Sequence, residues 1–144
     1  MVKLAEETLV AVGRMTVAAT DLEHVLSRIG AGDADADEIF ARAGGPLVAA
    51  REAARSAGPT FREEYANLVE GAATQLAVGQ AALRAVWRGG RTDRALFDEI
   101  TVRLLRCRDA LLERIPVPTE GWETADSTQA LASPAWQRGS FKST

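Results

Sequence analysis

Between residues 3 and 29 the apolar side chains recur at helical intervals. Thr8, Met15, Leu22 and Ile29 stand seven residues apart, and Val12, Ala19 and Leu26 follow the first three by four. Steps of three and four place all seven on one face of an α-helix, so this stretch reads as one long amphipathic helix with a buried stripe. A chain that opens this way needs further helices to cover the stripe.

The remaining sequence supplies them. The run GAGDADADE at 30–38 offers Gly30 and Gly32 as terminators and Asp33 or Asp35 as N-cap, predicting a break and then a short helix through Ile39 and Phe40 that stops at Gly44 and Gly45. Pro46 suits the first turn of another short helix, because its missing N–H has no intrahelical partner there, and Gly58-Pro59 closes it. From about Thr60 to Arg88, Phe61, Tyr65, Leu68, Ala72, Leu76, Gly79, Leu83 and Val86 repeat at three and four, with small residues at 72 and 79 that permit close helix approach. After Gly89-Gly90, Thr92 or Asp93 caps a last helix whose stripe is Phe97, Ile100, Leu104, Cys107, Leu111 and Ile115. The expected fold is an all-α helical bundle over residues 1–115, with three long amphipathic helices, two short ones and antiparallel neighbours where loops are short. Residues 116–144, with Pro116, Pro118 and the isolated aromatics Trp122, Trp136 and Phe141, read as an extended C-terminal tail.

At 144 residues and 47% hydrophobic content the chain has room for one core. Its composition, rich in Ala, Arg and Gly with only two lysines, is that expected of a GC-rich bacterial genome. One cysteine, Cys107, excludes an internal disulfide framework and a cysteine-rich zinc site, and the opening MVKLAEETLVAVG matches neither a signal peptide nor a membrane span, so a cytoplasmic protein with no membrane partner is expected. The net charge of −3 weighs against nucleic acid as partner, although residues 84–114 carry eight arginines against five acids.

Catalytic chemistry has few places to reside. His24 is the only histidine, and with Asp21 it makes half of a Glu-x-x-His-type metal element at best, so no metal and no cofactor are called for. Nothing places a nucleophile beside it, which makes His24 a boundary residue of the first helix whose charge Asp21 would favour if close. Phosphate loops, nucleophile elbows and dinucleotide fingerprints are missing. Glu99–Arg103 and Arg106–Asp109 have the spacing of helical ion pairs, whereas Arg84, Arg88, Arg91 and Arg94 lack close acids except Asp93 and form a candidate anion or partner surface. Trp87, continuing the side set by Leu83 and Val86, is expected to anchor the helix end by packing. Trp122 and Trp136 have polar surroundings, so they should dock on the bundle or engage a partner.

The order of features resembles the bacterial HEPN-like helical bundles. In that superfamily a long first helix, here VGRMTVAATDLEHVLSRI, precedes a later helix ending in Arg, a polar residue, an apolar run, His and then Trp. Laid on GQAALRAVW, the frame puts Gly79 at the arginine position, Gln80 at its polar neighbour, Arg84 at the histidine and Trp87 at the tryptophan. The resemblance implies a homodimer and, in active members, arginine and histidine assisting attack of an RNA 2′-hydroxyl on the adjacent phosphate. Gly79 brings no side chain, and Arg84 stays protonated near neutrality, so it holds an anion without acting as a general base.

The leading expectation is therefore a noncatalytic HEPN-like module, in a toxin–antitoxin or regulatory setting, that binds an acidic protein or a small anionic molecule through Arg84, Trp87, Arg88, Arg91 and Arg94, with Trp122 and Trp136 on an arm. A second reading is a small enzyme acting on a hydrophobic metabolite in a pocket beside Ala72 and Gly79, with His24, Asp21, Tyr65 or Arg84 as polar groups. A nucleic-acid-binding regulator is the third.

Overall fold

The computed structural model describes residues 3–115, without the side chains of 32–34; Trp122, Trp136 and the expected extended tail lie outside the described residues. Within them the chain is an all-α bundle with no β-strand: α1 (Glu6–Ala41), α2 (Gly45–Ser56), α3 (Pro59–Trp87) and α4 (Arg94–Leu112). The core is the expected stripes brought together. Met15, Leu22, Leu26 and Ile29 of α1 meet Tyr65, Val69 and Ala72 of α3 and Phe97, Ile100, Leu104 and Leu111 of α4.

Residue pairings give the topology. Glu64 meets Arg114 and the Gly79 position faces Ile100, so α3 and α4 run antiparallel across their short connection, as expected. Gly79 also faces Met15, and Thr16 and Glu23 share a cleft with Leu83 and Leu76, which makes α3 antiparallel to α1 as well. It follows that α1 and α4 are parallel neighbours, tied by Asp21 to Arg108.

The expected break at 30–38 takes a different form. The backbone is helical from Glu6 to Ala41, absorbing the short helix into α1, with neither Asp33 nor Asp35 starting a new element. Yet His24 Nε2 lies 3.3 Å from Asp37 Oδ1, thirteen residues on, and the His24 and Phe40 rings are 5.4 Å apart at an edge-to-face angle. Thirteen residues of straight helix span about 20 Å, beyond the reach of these two side chains, so α1 bends sharply between them. Gly30 sits where the next helix crosses: a Cβ there would stand 2.4 Å from Ala49 Cβ and 2.8 Å from its carbonyl carbon. The glycine serves close approach of α2, and the alanines around it keep the backbone helical.

Two helix ends are as read and one differs. Pro46 occupies the first turn of α2. α3 ends in a Schellman motif: Gly89 is left-handed at φ 79°, its N–H reaches Val86 O, and Gly90 N–H reaches Ala85 O at 2.7 Å. Asp93 stands at the N-cap of α4, but its side chain makes no cap bond, and both carboxylate oxygens accept from Arg91 at 2.9 and 2.8 Å.

Candidate functional site

The end of α3 carries the cluster that the charge distribution pointed to, with its membership reduced. Arg91 is held by Asp93, and Arg94 donates to Asp98 at 3.2 Å, one turn along α4, a partner the sequence reading overlooked. The hydrogen bond from Arg91 holds the Asp93 carboxyl below its usual range. Arg84 and Arg88 are exposed and have no ion pair among the described residues. Between them stands Trp87, 66% exposed, which corrects the expectation that it anchors the helix by packing. Val86 is the buried anchor at this end, and after the Schellman turn the described residues leave the indole exposed.

Spacing explains how the three present together. Residues three and four apart neighbour one another on a helix surface, so Arg84 adjoins both Trp87 and Arg88. Two unscreened cations at this spacing cost a helix about 0.2–0.5 kcal/mol, partly offset because cations suit a helix C-terminus. The macrodipole gives Arg84 a structural reason to be there; it gives none for an exposed tryptophan.

The proposed catalytic groups are not brought together. Asp21 accepts from Arg108 at 2.8 Å on the α4 side of α1. His24 turns to Asp37 and Phe40 at the bend. Tyr65 is fully buried, its hydroxyl donating to the Arg114 carbonyl, and burial is the main reason its pKa is pushed up to about 12. Buried as a neutral donor, it braces the start of α3 against the end of α4. Arg84 is remote from all three, at the far end of α3. Gly79 faces Met15 and Ile100, at 3.8 and 3.7 Å from a Cβ built there, while Arg84, five residues on, is exposed. Burial raises the pKa of the half-buried Cys107 thiol. Among the described residues no group of His, Cys, Asp and Glu forms a metal cluster, and no helix is long and apolar enough to cross a membrane.

Three clefts among the described residues bear on these readings. One of about 180 Å³ lies between α1 and α3 at Gly79, as the small-residue seam suggested, but Thr16, Thr20, Glu23 and Gln80 are its polar groups and none of the four candidates lines it. Burial raises the Glu23 carboxyl, and its place on the flank of the α1 stripe, four residues after Ala19, was the signal available. A second, of about 550 Å³, is an apolar groove between α1 and α4 over Gly13, Val17, Ala18, Thr101 and Leu105, beside exposed Val10 and Val102. The third, of about 340 Å³, lies between α2 and α3 and gathers Arg51, Arg55 and Arg62, arginines the charge count hid because they stand in the acidic half of the chain.

Other helix pairs of the expected kind are present in part. Arg103 donates to Glu99 at 2.6 Å, whereas Asp109 takes its bonds from Arg108, not from Arg106. Compared with family models, with curated proteins and with solved structures, the chain finds no match.

Proposed function

We propose that this protein is a noncatalytic helical binding module of HEPN-like type, which takes an acidic segment of a protein partner on Arg84, Trp87 and Arg88. The observation that carries this reading is the exposed Trp87 flanked by two arginines without an acidic partner among the described residues. An indole between guanidinium groups offers apolar area and charge-assisted hydrogen bonds at one place, the combination that recurs in interface hot spots. Scattered Asp21, His24 and Tyr65 favour binding over catalysis, since general acid–base work requires such groups within hydrogen-bond reach of one substrate.

A short poly-glutamate peptide is a sufficient probe. Saturable quenching of Trp87 emission is expected, weakening at high salt and lost in Arg84→Ala/Arg88→Ala with the melting temperature unchanged. Inorganic phosphate and single-stranded RNA serve as comparisons. Robust RNA cleavage that disappears in Arg84→Ala would overturn the reading.

A homodimer belongs to the same proposal, with the α1–α4 groove as its contact face. Gly13 supports it: a Cβ added there meets nothing within 4 Å, so the bundle itself gives no reason for a glycine inside α1.

A further inference from the structure

The α2–α3 cleft combines an apolar floor with cationic walls. Ala54, Ala66 and Val69 form the floor, and Arg51, Arg55 and Arg62 surround it together with Glu70, the one acid of the lining, which Arg51 pairs. Each arginine already has a bond: Arg51 makes two to Glu70, Arg55 one to Glu52, and Arg62 two to the Ala57 carbonyl at the end of α2. A guanidinium has five N–H donors, so donors remain on all three after these bonds are made. The shape and charge suit a flat aromatic ring carried on an acidic strand.

The chain has one such segment. Residues 119–126, TEGWETAD, hold Trp122 among Glu120, Glu123 and Asp126 with no basic residue. The place where the described chain stops brings this segment close. Arg114 is paired with Glu64, and its carbonyl accepts from Tyr65, so α4 ends against the first turns of α3. Arg62 is three residues before Tyr65, about 4.5 Å along the helix axis. Trp122 follows Arg114 by eight residues, which extend to at most about 29 Å. So short a tether makes the local concentration of the segment high, and a weak contact suffices to hold it.

We infer that residues 119–126 of this chain are the occupant of the α2–α3 cleft, with Trp122 on Ala54, Ala66 and Val69 and the carboxylates on the spare donors of Arg55 and Arg62. This surface is separate from the Arg84 end and stands or falls independently of it.

The test uses the full chain with Trp87→Phe and Trp136→Phe, leaving Trp122 as the one indole. Blue-shifted emission is expected, with an acrylamide quenching constant several-fold below that of the same chain carrying Arg55→Glu. Arg55 pairs with Glu52 on its own helix, so helical circular dichroism and melting should change little in that variant. Glu123→Arg should likewise release the indole, and Arg55→Glu/Glu123→Arg should restore shielding. Trp122 emission typical of water, or shielding indifferent to both charge reversals, would overturn the inference. Shielding lost on dilution would also overturn it, by assigning the cleft to the segment of a second copy.

Discussion

Tyr65 is the side chain whose role changed most between sequence and structure. Its place in the α3 stripe was legible from spacing, but nothing local to it tells that the hydroxyl finds a carbonyl forty-nine residues away. Burial favours the neutral phenol, so the folded state keeps its proton to about pH 12 while an unfolded tyrosine loses it near 10. Between those values the folded state binds more protons, and stability falls as pH rises. Tyr65→Phe should remove that alkaline loss in denaturant melts at pH 10–12. Near neutrality the same variant should cost about 1–2 kcal/mol, because the Arg114 carbonyl is left without its donor. An unchanged alkaline slope would contradict this account. Trp87 shows the converse error: its spacing from Leu83 suits the stripe, but it stands exposed among the described residues, and where a stripe stops being covered depends on the neighbouring helices.

At the scale of elements, amphipathic repeats located the three long helices, since burial of one face is what their spacing encodes, and Pro46 with Gly58-Pro59 bounded α2, whereas the separate short helix expected through Ile39 and Phe40 is part of α1. The glycines were harder to read, because one residue serves several geometries. Gly89 ends a helix through a positive φ, whereas Gly30 stays helical and lets α2 cross. Both look alike in sequence, and only the position of Ala49 separates them. Gly30→Ala should destabilise the fold by about 1–3 kcal/mol through overpacking, measured as a lower denaturation midpoint, even though alanine is the better helix former. Stabilisation by that substitution would mean that α1 and α2 do not approach so closely. The ion pairs were legible only within a helix: Glu99–Arg103 follows from spacing, whereas Arg51–Glu70 and Asp21–Arg108 needed the packing. Exposed as they are, each is worth at most about 1 kcal/mol, so they set register more than stability.

For the whole molecule, the class of fold was readable, and the neighbours in space were not. Short connections make antiparallel pairs easy to foresee, but the parallel pairing of α1 with α4 joins elements from opposite ends of the described chain. It also creates the groove over Gly13 and Val17, whose exposed valines are the least expected part of the surface. If that groove is the dimer contact, Val17→Asp should convert dimer to monomer in sedimentation equilibrium with little loss of helix, since Val17 is 69% exposed. A wild-type chain that sediments as a monomer would remove the dimer.

The same parallel pairing has a consequence for how the molecule comes into being. The bond from Arg108 to Asp21 closes a loop of eighty-seven residues, while the bent arms of α1 and the α3–α4 hairpin close short ones. Loop-closure entropy makes the distant closure the slow one. During synthesis from the N-terminus, α1, α2 and α3 emerge with one apolar flank of α1 bare, and it stays so until α4 arrives to cover it.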